Sequence, residues 1–170
     1  AGEVLRRPVQ PVLFGTSGIA LLDAADAKDH FGSPVPIGWG VLSKIKGRLV
    51  DRTNLIYCFL GRAATGAGGF FDGGAPFTLG VARANLAALI ANTPAAGTVD
   101  YCLNAAGLVL ARPWAKPVYP FTADLTAGST TAADIANSIV TSRTALTFGA
   151  GVVAAFNGIQ SAPCGCYVDD

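Results

Sequence analysis

Residues 37–50, IGWGVLSKIKGRLV, and residues 54–60, NLIYCFL, separated by Asp51-Arg52-Thr53, decide the fold class. In the first, Val41, Ser43, Ile45, Gly47 and Leu49 alternate with Leu42, Lys44, Lys46, Arg48 and Val50. A period of two belongs to a strand, and three basic residues on one side mark it as half solvated. Working outward, Phe121, Ala123 and Leu125 alternate with Thr122, Asp124 and Thr126 in the same way. Residues 99–103 and 107–111 read as a hairpin around Asn104-Ala105-Ala106. Residues 13–22, broken by Gly15 and Gly18, read as a short strand and bend, and residues 147–167 as closing strands.

Two segments carry helical spacing. Val81, Asn85, Leu86, Leu89 and Ile90 predict a helix over 81–92, stopped by Thr93-Pro94. Ile135, Ile139, Val140 and Leu146 predict a second over 132–146, opened by a capping box of Thr131 and Asp134. The expected fold is therefore α+β: a β-dominated single domain of short antiparallel strands, barrel- or sandwich-like, with two helices. That domain would occupy residues 13–170. Residues 1–12, AGEVLRRPVQPV, hold two prolines and no period, and read as an extended N-terminal arm.

The arm's Val4, Leu5, Val9 and Val12 need a surface to pack on, and a neighbouring chain would supply one for them and for Arg6 and Arg7. Residues 61–76 carry six glycines around Phe70-Phe71 and read as a glycine-rich loop. An aromatic pair there either anchors an interface or folds back as a lid on the domain's own core. Trp114 stands in a rigid connector over 112–120 with three prolines, and completes the expected interface set. As an alternative, Phe70, Phe71 and Trp114 would line a pocket for a small apolar ligand.

Composition excludes several classes. Of 170 residues 51% are hydrophobic and only 14% charged, with mean hydropathy +0.46. Ordinary domains carry roughly 25% charged residues, so much of this surface should be covered by other molecules. A net charge of +1 argues against a nucleic-acid partner. Lys44, Lys46 and Arg48, with Trp39 and Tyr57 nearby, could form a platform for single strands, but a solvent-facing strand accounts for them better. No apolar run reaches the 18 or so residues that cross a bilayer, and no membrane partner is expected.

Catalytic chemistry is sparse. His30 is the single histidine, and pairing with Ser17 or Cys58 would be needed for a nucleophilic site. Gly15-Thr16-Ser17-Gly18 is one residue short of a nucleophile elbow. Asp23, Asp26 and Asp29 recur every third residue, yet lack the calcium-loop spacing and its closing Glu, so a solvated face is expected. Gly61 and Gly66 have the phosphate-loop spacing without its Lys. Residues 149–154, GAGVVA, match a dinucleotide pattern that only sixteen residues follow. Cys58 and Cys102 stand alone and Cys164-Gly165-Cys166 is one close pair, which is not a structural zinc pattern. Free buried thiols are expected, with a disulfide involving Cys164 and Cys166 as the alternative. No cofactor and no metal are expected.

With its arm AGEVLRRPVQPV and compact strands such as FTADLTAG, the chain resembles the small decoration (cement) proteins of tailed-phage capsids. The resemblance implies a non-catalytic virion protein on the capsid exterior, commonly a trimer, that binds the major capsid protein and copies of itself. The other classes in view are a secreted or surface-fibre subunit, for which oxidised Cys164 or Cys166 would be expected, the apolar-ligand module above, and an enzyme using His30.

Overall fold

A computed structural model describes residues 11–144 and 146–168. The arm residues Val4, Leu5, Arg6, Arg7 and Val9 lie outside them.

Among the described residues ten strands form two five-stranded sheets. The first has the order β10 (Gly165–Val168), β1 (Ile37–Lys46), β9 (Phe121–Ala127), β4 (Gly66–Asp72) and β5 (Ala75–Pro76). The second has β2 (Arg48–Asp51), β3 (Ile56–Leu60), β8 (Leu108–Pro113), β7 (Thr98–Ala105) and β6 (Thr78–Ala82). Neighbours pair antiparallel except β6 and β7, which are parallel. Four α-helices accompany them: α1 (Ala20–Asp23), α2 (Leu86–Ala91), α3 (Ala132–Arg143) and α4 (Ala150–Ile159). The expected class, α+β with a β-dominated body, is what the chain adopts.

The inner faces of the two sheets meet in one core, with Leu42, Phe70, Phe121 and Leu125 from the first sheet against Tyr57, Phe59, Val99 and Val109 from the second. Behind the second sheet, Phe14, Leu22, Leu89 and neighbours cover Ile56, Cys58 and Leu110. The central strands of that sheet are buried on both faces, which is why all five residues of β3 are apolar and buried. The first sheet keeps one face towards solvent. Phe121, Ala123, Leu125 and Ala127 of β9 are buried while the residues between them are half exposed, as the alternation predicted.

The alternation in β1 does not run straight through. Pairing with β9 slips between Leu42 and Ile45, and Lys44 takes a left-handed backbone with φ of 52°. The bulge turns Ile45 inward beside Leu42, two residues that a strict period would set on opposite faces. Asp124 holds it by accepting from the Ser43 hydroxyl (3.1 Å) and the Lys44 amide (2.7 Å). Lys44 and Lys46 stay exposed, whereas Arg48 is half buried, so the three basic residues form no common face.

Other expectations change. The glycine-rich segment is not a loop: residues 66–72 are β4, bonded to β9 on one side and β5 on the other. Adjacent residues of a strand face opposite ways. Phe70 is therefore fully buried in the chain's own core rather than an interface anchor, and Phe71 lies half buried beneath the Lys44 ammonium. The helix expected over 81–92 shrinks to α2, because Val81 belongs to β6 and Asn85 caps the helix by accepting from the Ala88 amide at 2.9 Å. At Thr131 the hydroxyl donates to Asp134 instead of accepting from the backbone, so the expected box forms only as a side-chain pair. The β7–β8 hairpin forms, but Asn104 and Ala105 belong to β7 and the chain turns at Ala106 and Gly107, both with positive φ, rather than at Asn104-Ala105-Ala106. The tail supplies one closing strand, β10, but its longest element is a helix, α4.

Candidate interaction surface

The residues singled out as nucleophile and base do not meet. Ser17 donates its hydroxyl to Asp23 at 2.7 Å, and with the Ser17 and Gly18 amides it holds that carboxyl below its ordinary range. Cys58 is fully buried, and burial pushes its thiol up to about 12, so it stays protonated. His30 packs against the Phe14 ring, centroids 5.5 Å apart. The every-third-residue spacing of Asp26 and Asp29 is that of a short 3-10 helix over Ala25–His30. Both carboxylates meet Arg52, one through its amide at 3.0 Å and the other as an ion pair with its guanidinium. Asp72 and Asp124 are bound to backbone amides of other segments. Tyr57 lies in the core and Trp39 beneath the Arg62 guanidinium at 5.0 Å, so no aromatic platform accompanies the basic residues. Among the described residues no cluster of metal-ligating side chains occurs, and Cys58, Cys102, Cys164 and Cys166 are free thiols.

Burial lowers the His30 pKa, and the Arg48 and Arg52 charges lower it further, against an opposing pull from Asp29. The folded chain therefore prefers the neutral imidazole. This contribution to stability is complete above the ordinary value of 6.5 and is lost as pH falls through 6.5 towards the lower folded value. Urea midpoints measured across that window should fall more steeply with acid in the natural chain than in His30→Gln; equal slopes would contradict this.

Large apolar side chains are exposed at several places, Phe31, Val41, Leu79 and Val81 among them, and two groups stand out. The first is the connector after β8. Asp72 accepts from the Val118 amide (2.9 Å) and the Tyr119 amide (2.6 Å), and Tyr119 packs on Gly73. The three prolines and these bonds fix the connector while Val118 is 82% and Tyr119 67% exposed, with Trp114 beside them in sequence and half exposed. Trp114 is accessible, whereas Phe70 is buried in the core and Phe71 half buried under Lys44.

The second is the hairpin of α3 and α4. It is seated on β1, where a side chain at Gly40 would collide with the Cys164 carbonyl and with Ile135 of α3, and where Gly40 has φ of 78°. At Gly165 a side chain would strike the Val41 carbonyl. The Val41 amide bonds to the Cys164 carbonyl (2.8 Å) and the Cys164 amide to that of Thr130 (2.7 Å). Within the hairpin, Asn157 of α4 donates to Asp134 of α3 at 2.9 Å, and the Asn137 side-chain oxygen accepts from the Phe148 amide at 2.8 Å. On α4 itself Asn157 and Val153 form the half-buried side. Away from them Val152, Phe156 (61%) and Ile159 (84%) are exposed, and the linker adds Leu146 and Phe148. An apolar cleft of about 350 Å³ lies between Ala132, Ala133 and Ala136 of α3 and Phe148, Val152 and Phe156 of the linker and α4.

Sequence reading found the absence of charge here but not the helix. Val152, Phe156 and Ile159 follow the spacing i, i+4, i+7, the signal that was present. Val12, the end of the expected arm, is exposed and its carbonyl accepts from the Val35 amide at 2.7 Å. Comparison with protein families, with curated proteins and with solved structures finds no match for this chain.

Proposed function

We propose that this chain is a non-catalytic structural subunit of a virus particle, a decoration or cement protein that binds the major capsid protein and copies of itself on the shell exterior. One observation carries the proposal. A two-sheet body holds out two largely apolar surfaces on rigid supports: the 114–119 connector, with Lys116 as its one charge, and the α3–α4 hairpin, whose linker and α4 carry none. Exposed aromatic and aliphatic side chains held in one geometry lose little entropy when a partner covers them, which suits them as interface anchors. Ser17 is bonded to Asp23, His30 packs against Phe14 and the buried Cys58 stays a thiol, which favours binding over catalysis.

Zonal sedimentation of material from the natural source tests this. The protein should run with particles and be identified in that fraction by mass spectrometry, and removal of residues 1–12 should weaken its retention. A chain found only among slow-sedimenting monomers would overturn the proposal.

A further inference from the structure

We infer that the α3–α4 hairpin is a self-association surface, packing against the hairpin of a second copy of this chain. The inference rests on the assembly reading and names the partner for one of its two surfaces. α4 is apolar nearly all round: Asn157 is the one strongly polar side chain within 150–159, and it is turned towards Asp134. A helix of that kind belongs in an interior, yet here only one side of it is covered.

Charge selects the occupant. Residues 144–168 contain no Asp, Glu, Lys or Arg. An unrelated surface of ordinary composition would bury its charges here without ion partners, which is costly. A membrane surface is disfavoured by the same run, since interfacial helices use Lys and Arg on their polar face. A small ligand would find a cleft whose one polar side chain is Gln160, whereas ligand sites hold several converging polar groups. A second copy offers the same uncharged 144–168 run, with Asp134 of α3 already bonded to Asn157. It also offers complementary relief, because the hairpin carries both an unfilled cleft and a projecting Ile159. A surface that contains its own knob and hole can pair with itself about a symmetry axis.

Size sets the strength. A helix about 15 Å long and 11 Å across presents roughly 260 Å² on half its lateral face. Stable interfaces need about 800 Å² per partner, so α4 contributes only part, with α3, Leu146 and Phe148 supplying the rest. The contact belongs to the small, reversible class, and a shell would strengthen it by presenting many at once.

Sedimentation equilibrium of the purified full chain, in reducing buffer to keep Cys164 and Cys166 as thiols, provides the test. The mass should rise with concentration from one copy to two or three. Ile159→Asp, which alters a side chain almost wholly in solvent, should raise the dissociation constant at least about tenfold, and Val152→Asp should do the same. Ile159→Leu should associate like the natural chain, and all should melt alike. A natural chain that stays monomeric throughout, or an Ile159→Asp chain that associates undiminished, would overturn the inference. A monomer retaining an apolar small molecule in native mass spectrometry would overturn it too. A monomeric chain that still sediments with particles defeats self-pairing and leaves the assembly role intact; a self-pairing chain absent from particles does the reverse.

Discussion

Asp100→Ala is expected to cost about 3–5 kcal/mol, the effect of removing one partner from a buried ion pair. Asp100 is 2% exposed, and its carboxylate accepts from Arg83 Nε (2.8 Å) and Nη2 (2.5 Å) and from the Val81 amide (2.8 Å). These bonds tie β6 to β7 at the parallel pair, where Gly80 leaves room for the carboxylate that a side chain would fill. Without it the Arg83 guanidinium and a backbone donor both lose their partner. Replacing both charged residues by leucine should recover part of the loss, because the uncompensated cation is gone while the Val81 amide stays unpaired. Urea unfolding checks both, and a single variant within about 1 kcal/mol of the natural chain would contradict this role.

Phe121→Ala should cost a similar 3–5 kcal/mol, through lost burial and the cavity left behind. Phe121 joins the two sheets: its ring meets Tyr57 at 4.8 Å, Phe59 at 5.3 Å, and Phe70 and Phe77 at 5.9 Å. Three of these contacts are edge-on, the arrangement that adds to simple burial. For a chain of this size the melting midpoint should drop by about 6–20 °C. Phe121→Leu, which keeps much of the volume, should lose much less. An alanine variant that melts within a few degrees of the natural chain would show that other contacts hold the sheets together.

Local signals were legible where the local sequence decides the structure. The alternation of β9, the pairing of β7 with β8 and the apolar spacing that starts α3 are each settled within a few residues, and each forms, although the turn falls at Ala106-Gly107 and not at Asn104-Ala105-Ala106. β4 is different. Gly66, Gly68 and Gly69 have poor strand propensity, and only the ladders to β9 and β5 make them a strand. Once it is a strand, Phe70 and Phe71 must part, so an interface built on both could not survive. The slip in β1 depends on Asp124, eighty residues away, which no period in 41–50 reveals. The helix α4 was hidden by Gly149, Gly151 and Gly158, which weaken helix propensity although Val152, Phe156 and Ile159 carry the spacing. Its lack of charge was visible in composition; the side chains that project from it required the fold. In the connector, Trp114 was legible as an aromatic among prolines, while Val118 and Tyr119 depended on Asp72 reaching across from β4.

Both surfaces make one claim, that the chain acts by being covered. The most direct measurement is the amount of protein retained on purified particles after zonal sedimentation, compared between the natural chain and Ile159→Asp at equal input. The natural chain should be retained near saturation and the variant markedly less, with both folded to the same melting temperature. Equal retention of the two, or none of either, would contradict the account.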